Sequence, residues 1–395
     1  MRRPIFIQPS FRPGRLLVAT FCLLIISFVA CHKNEPAPPP TPSGDLLSIA
    51  YAPVSYQIKK PDYFPEVPVP TDNPMTVEGI QLGRRLFYDP ILSGDSTESC
   101  STCHAQKGSF TDNLAVSKGI DGLFGRRSAP SLYNIAYAGN NLFWDGRVHS
   151  LEEQALKPVE DKKEMHNTWD QAIVRLKRHS DYPARFRKAF GISDRTEITK
   201  ELATKAIAQF ERILVSSGTT KFDQFKMGNK DAFDDDETNG YAMFFDQGRD
   251  LGLPDAQCFH CHGTDALVEG NNFFNDGLDT AKVYDFLTDK GRFEVTGNPS
   301  DQGKFRAPTL RNIAMSAPYM HDGRLKTLED VMDMYSADHG KLPNIDPFIH
   351  QVGFPIGNGH YTGLTTDQKN AVIKFLKTTT DSVFIANQDF SNPFK

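Results

Sequence analysis

The chain has 395 residues, 39% hydrophobic and 24% charged, the proportions of a soluble globular protein of two or three domains. Its formal net charge is −5, and its first 30 residues hold four Arg and no acid, so removing them leaves −9. That balance argues against a nucleic-acid partner and for a basic one.

Arg2, Arg3, Arg12 and Arg15 precede an apolar run at residues 16–30, which is the layout of a signal peptide and is short for a membrane span. The run ends Ser27-Phe28-Val29-Ala30-Cys31. A small residue before Cys resembles a bacterial lipoprotein cleavage site, with Cys31 as the lipid anchor, although Phe28 stands where Leu is usual. Plain secretion and an uncleaved anchor are the alternatives, and all three export the chain to the periplasm or cell envelope. Residues 31–62 open on a Pro-rich stretch that cannot build a core and read as an extended tether. Folded structure is expected from about 63–73.

A helix is expected at 77–88, and Cys100-Ser101-Thr102-Cys103-His104 follows it. A second helical stretch at 237–248 precedes Cys258-Phe259-His260-Cys261-His262. Cys-x-x-Cys-His is the attachment signal of c-type haem. Two thiols three residues apart each add to a vinyl group of one porphyrin, and the next His supplies its imidazole to the iron. The competing patterns fit less well. A zinc ribbon wants its pairs about 15–20 residues apart, and a thioredoxin-like dithiol wants a βαβ context. Structural disulfides would leave the adjacent His at both sites unexplained. Two covalently bound haem c groups are therefore expected, with His104 and His262 as iron ligands.

The chain repeats itself. Ala129-Pro130-Ser131-Leu132-Tyr133-Asn134-Ile135-Ala136, Asp145-Gly146-Arg147 and Leu151-Glu152 follow the first motif. Ala307-Pro308-Thr309-Leu310-Arg311-Asn312-Ile313-Ala314, Asp322-Gly323-Arg324 and Leu328-Glu329 follow the second. Ser150 with Glu153 and Thr327 with Asp330 read as capping boxes. An amphipathic helix at 197–215, with Leu202, Ala206, Phe210 and Ile213 on one side, closes the first copy. Residues 216–236 read as a polar linker, and Thr365 with Gln368 starts a last helix through about 377. Strand signals are few. The fold class is all-α, two tandem cytochrome c-like haem domains at 63–215 and 216–395.

With these residues in place, the chain resembles the bacterial di-haem cytochrome c peroxidase family, which includes the MauG-type enzymes, from about 74 to 381. The specific parts are both haem motifs, Phe143-Trp144-Asp145-Gly146-Arg147, Leu151-Glu152-Glu153-Gln154-Ala155 and Ala317-Pro318-Tyr319-Met320-His321-Asp322-Gly323-Arg324. The resemblance implies that peroxide reacts at the N-terminal haem while the C-terminal haem transfers or stores electrons. It puts Glu164 in the place of the distal acid–base group, Gln154 in that of its companion amide, and Trp144 between the haems as a relay. By residue type alone, Glu164 is a solvated charge in a charged run, Gln154 a solvent-facing helix position and Trp144 a core aromatic.

Two departures stand out. Many members carry a sixth-ligand His sixteen residues past the motif His, where this chain has Ile120. Isoleucine cannot ligate iron, so an open peroxidatic haem is expected; His149 and His166 are the candidate substitutes, each more often an ordinary surface or core His than a ligand. Where standard peroxidases place a Met ligand on the second haem, this chain has Tyr335, as the MauG type does; a core Tyr with Met332 or Met334 as ligand is the alternative. The family's calcium ion would meet Ser128 in place of the usual Asn, with the carbonyls of Ser316 and Pro318.

The expected function is reduction of hydrogen peroxide to water with electrons from a small redox protein, a cytochrome c or a copper protein. A MauG-like oxidase acting on a protein or organic substrate is the near rival. A non-enzymatic di-haem electron carrier is the rival of another class. A homodimer is left open.

Overall fold

The structure, a computed structural model, describes residues 44, 46–263, 266–267, 272–279, 287–339 and 344–395. The leader, Cys31 and the chain through residue 43 lie outside the described residues.

Thr76 Oγ1 accepts from Gly79 N at 3.0 Å and starts helix α1 (Val77–Tyr88), with the bounds expected. The helices that follow are α2 (Cys100–Cys103), α3 (Leu151–Gln154), α4 (Lys157–Glu160), α5 (Trp169–Arg178), α6 (Tyr182–Phe190) and α7 (Lys200–Arg212). Then come α8 (Lys221–Lys226), α9 (Asp235–Phe244), α10 (Phe259–His262), α11 (Phe293–Thr296), α12 (Leu328–Tyr335), α13 (Thr366–Lys377) and α14 (Ser382–Ala386). Helix α7 is shorter than its apolar pattern because Thr199 caps it, and Arg195–Glu197 forms a separate 3₁₀ turn. Helix α9 starts early, on the Asp234 cap, and stops at Phe244.

Two helix pairs cross alike. A Cβ on Gly83 would stand 1.8 Å from Ala206 O, and one on Gly240 would stand 2.0 Å from Ala371 O. Only hydrogen fits at either crossing, so α1 meets α7, and α9 meets α13, at backbone contact. Around the first crossing lies a core with Leu86, Phe87, Phe110, Ile207 and Phe210; around the second lies one with Phe244, Val372 and Phe375.

The sequence repeat is a backbone repeat. Asn134 and Asn312 are both left-handed, at φ 59° and 60°. Each opens a 3₁₀ turn, Ile135–Tyr137 and Ile313–Met315. Each Asp-Gly-Arg turn is closed by an antiparallel bridge, Leu142 with Val148 and Tyr319 with Leu325. Ser150 Oγ then accepts from Glu153 N at 3.1 Å, and Thr327 Oγ1 from Asp330 N at 3.0 Å. After the cap the copies diverge. Pro158, which has no N–H to offer, follows α3 four residues past Gln154 and ends it. Helix α12 meets no proline and runs on to Tyr335.

The structure departs from the sequence reading in four places. It is helix-rich but not purely helical: Phe273–Phe274 pairs antiparallel with Phe305–Arg306, and Pro355–Gly357 with His360–Tyr361. Strands this short leave no alternation to read. Order starts before 63: Leu46 is buried, and Tyr56 N donates to Met75 O at 3.0 Å. The 216–236 stretch is no linker. It contains α8, and the fully buried Asp223 receives Arg311 Nη1 at 2.8 Å. Finally, α14 and the residues after it return to the first core, burying Phe384 and Phe390 there. No helix among the described residues is long and apolar enough to cross a membrane.

Candidate active site

The first haem motif sits on one turn of helix. Ser99 N donates to Thr102 Oγ1 at 3.0 Å, and His104 N donates to Cys100 O at 2.9 Å. His104 Nδ1 lies 2.9 Å from Phe110 O, with the Pro130 carbonyl also engaging the ring. In the second motif, His262 Nδ1 lies 3.0 Å from Pro308 O. Pro130 and Pro308 hold the same position in the repeated Ala-Pro blocks. A carbonyl on Nδ1 fixes the proton there and leaves the Nε2 lone pair for a metal. Burial lowers the pKa of both imidazoles, which favours the neutral, ligating form.

A cavity of about 570 Å³ with its mouth joins Cys100, Cys103 and His104 to Gln154 and Glu164, between Leu92, Val159, Met165 and Ile207. The structure thus brings the two expected distal residues to the first motif. Burial, then the neighbouring Asp161, pushes the Glu164 carboxyl up to about 7, against the Arg147 guanidinium, while Glu98 pushes it further. A carboxyl poised there gains and loses its proton at neutral pH. No described histidine besides His104 lines this cavity. His149 Nδ1 lies 2.7 Å from Asn140 O, and His166 faces Asp121.

One lining residue escaped the sequence reading. Glu211 is buried in α7, its Oε2 has no hydrogen-bond partner, and burial pushes its carboxyl up to about 8. It stands four residues past Ile207, on the stripe that faces the core, and that spacing was the available signal.

A larger cavity, about 1530 Å³ with its mouth, is lined by Cys258, Cys261, His262 and Tyr335. Leu328, Val331 and Met332 line it from the same helix; Met334 does not. Burial, followed by the Asp276 carboxylate, raises the Tyr335 pKa well above its ordinary value. Trp144 lines this cavity and not the smaller one, and its Nε1 donates to Ser128 O at 2.9 Å. Thr111 and 128–131, from the first half of the chain, complete the wall. Ser316 and Pro318 also line it, but Ser128 Oγ donates to Met320 O at 3.1 Å.

These residues fit haem. Each cavity offers two free thiols and a neutral imidazole with an available Nε2. They fit calcium poorly: a neutral hydroxyl already engaged and two carbonyls are a thin set for an ion that takes about six to eight oxygens.

A helix-rich chain with two such cavities is of the c-type haem protein class. Comparison narrows the class. The family described as di-haem cytochrome c peroxidase matches residues 77–231. The cytochrome c551 peroxidase of Nitrosomonas europaea is 38% identical over 272 residues, covering 68% of this chain and 76% of that protein. The methylamine utilization protein MauG of Methylorubrum extorquens is 33% identical over 305 residues, 77% of this chain and 81% of that protein. Among solved structures, a MauG-like protein associated with microbial copper homeostasis superposes with a TM-score of 0.74 at 34% identity, over 86% of this chain and all of that one. The chain belongs to the di-haem cytochrome c peroxidase family and is an oxidoreductase of the peroxidase type.

Proposed function

We propose that hydrogen peroxide is reduced to water in the smaller cavity, on a haem held by Cys100, Cys103 and His104, within a tandem pair of haem domains. The supporting observation is that Glu164 and Gln154 line the cavity that holds that motif. The chemistry a haem supplies when bound is an iron that accepts peroxide as a ligand and passes it electrons. Glu164 takes the proton from one peroxide oxygen and returns it to the other, which leaves as water. Gln154 orients peroxide by hydrogen bonding. Two electrons and two protons per peroxide give two waters; a small donor, a cytochrome c or copper protein, would supply the electrons, and Cys258, Cys261 and His262 would hold the second haem, whose chemistry is electron transfer. Trp144, in the wall of the larger cavity, is the relay this reading assigns.

Tyr335 favours a second reading. A phenol in the second cavity, buried and protonated by its surroundings, needs the charge of a ferric ion to ionise it. Once bound, a phenolate stabilises oxidised iron, which suits MauG-like oxidation of a protein or organic substrate. Among the described residues His104 is the one histidine lining the smaller cavity and Met165 the one thioether, so a carrier with both irons saturated would need Met165 on the first iron. Export to the cell envelope and anchoring through Cys31 are read from residues 1–31 of the sequence; the calcium reading is set aside for the donor set described above.

Replacing Glu164 by Gln tests the main reading. Peroxide turnover should fall by about 10²–10⁴-fold with haem content intact, the range general acid–base groups supply. Unchanged turnover would refute the role. Oxidation of candidate proteins, assayed beside oxidation of a reduced cytochrome, separates the second reading from the first.

A further inference from the structure

Glu164 stands on the turn between α4 and α5. That turn is held from within by Met165 N on Pro158 O at 3.2 Å, His166 N on Asp161 O at 3.0 Å and Asn167 N on Val159 O at 2.8 Å. It is also held from outside. Gly94 N donates to Met165 O at 2.7 Å, and Ile120 N donates to Glu164 O at 3.1 Å. The Asp121 carboxylate meets His166 Nδ1.

The outer contact leaves no room for a side chain. A Cβ on Gly119 would stand 2.3 Å from Lys163 O and 2.6 Å from Glu164 O, and one on Gly94 would stand 2.4 Å from His166 O. The outer segment is itself a closed hairpin. Gly119 N bonds Leu123 O, Gly122 N bonds Gly119 O and Gly125 N bonds Ser117 O, each at 2.9 Å. Ser117 Oγ ties its base to Asp112 Oδ2 at 2.6 Å. None of residues 117–125 lines the cavity.

We propose that residues 117–125 are a positioning brace for Glu164, with Gly119, Ile120 and Asp121 fixing the backbone from which its carboxyl enters the cavity. The proposal rests on the acid–base reading of Glu164. Proton transfer is sensitive to placement, and a shift of about 1 Å can cost about 10²-fold in rate. The charged groups that set the Glu164 carboxyl are Asp161, Arg147 and Glu98, and none of them belongs to the brace. Disturbing the brace therefore changes where the carboxyl stands and removes none of those three charges. A methyl at position 119 can be accommodated only by shifting the hairpin and the Lys163–Glu164 backbone relative to each other.

The test uses the full di-haem protein and ligands that differ in one respect. Cyanide reaches ferric haem as HCN and must surrender its proton on binding, whereas carbon monoxide binding to ferrous haem moves none. Gly119→Ala should slow both the peroxide reaction and cyanide association at the first haem by about tenfold or more, with haem content and carbon monoxide binding unchanged. Asp121→Asn, at an exposed pair, should give a smaller loss in the same two rates, and it decides the matter if Gly119→Ala does not fold. Wild-type cyanide and peroxide rates in the folded variants would overturn the brace. Glu164→Gln separates the two levels. If it leaves both rates intact, the acid–base reading fails and takes the brace with it; if it suppresses both while Gly119→Ala and Asp121→Asn do not, the brace alone is wrong.

Discussion

Glu164 and Glu211 line one cavity, and burial pushes both carboxyls up, to about 7 and about 8. Their pH signatures should differ. Glu164 must first accept a proton, so it works ionised. The rate constant for peroxide should therefore rise with pH through about 7 and level off above it, and Glu164→Gln should flatten the profile; a stopped-flow series across pH 5–9 reads this. Glu211 has no assigned step, and its effect is on stability. Its folded pKa exceeds the usual 4.5, so the folded protein binds the proton more tightly than the unfolded chain. The stability this contributes is complete below about 4.5 and is lost as pH rises through about 8. Glu211→Gln should remove that loss, making the variant gain on the parent with rising pH in urea unfolding. A parallel pair of stability curves would show that Glu211 is not the buried acid described here.

Helix α12 shows how one scaffold yields two sites. Up to the cap, the copies share a left-handed Asn, a 3₁₀ turn and a bridged Asp-Gly-Arg turn. Beyond it, the proline break after α3 frees the chain to deliver Glu164, whereas the unbroken α12 carries Tyr335 into the second cavity. Tyr335→Met should raise the potential of the second haem by on the order of 0.1 V, well inside the roughly 0.8 V that axial ligands span. A spectroelectrochemical titration with no shift would remove Tyr335 from the ligand set. Elements of this kind were legible because their signals are local: the caps at Ser150, Thr327 and Thr365, the doubled motif and the repeated Ala-Pro block. The 216–236 stretch was misread because its polar residues find partners far away in sequence. Asp223 is satisfied by Arg311, and Ser216 N by Asn134 Oδ1. Glu211 was missed because a charge at a core-facing position is ordinarily excluded by cost. The brace on Glu164 was invisible because it is built mainly of backbone-to-backbone contacts, which mark the sequence with little besides glycine.

At the scale of the molecule, residues 44–395 form one unit in which the halves exchange material. The tail after Asp381 serves the first core: Phe384 stacks edgewise on Tyr133 and Phe110, and Tyr88 Oη donates to Phe390 O at 2.7 Å. Burying each Phe is worth about 1.5–3 kcal/mol. Deleting 382–395 should therefore cost the first site its haem while the second keeps one, a loss readable as one haem per chain instead of two. Retention of both would show that the tail is dispensable.

The exchange runs in the other direction too. Thr111 and 128–131 precede the second motif by more than a hundred residues, yet they line the cavity beside it. A chimaera that joins the front of one relative to the back of another at the obvious seam near 215 would graft a foreign panel onto the Tyr335 pocket. Shuffling that keeps this pocket native has to carry 111 and 128–131 along with the back half, and the sequence after Asp381 along with the front.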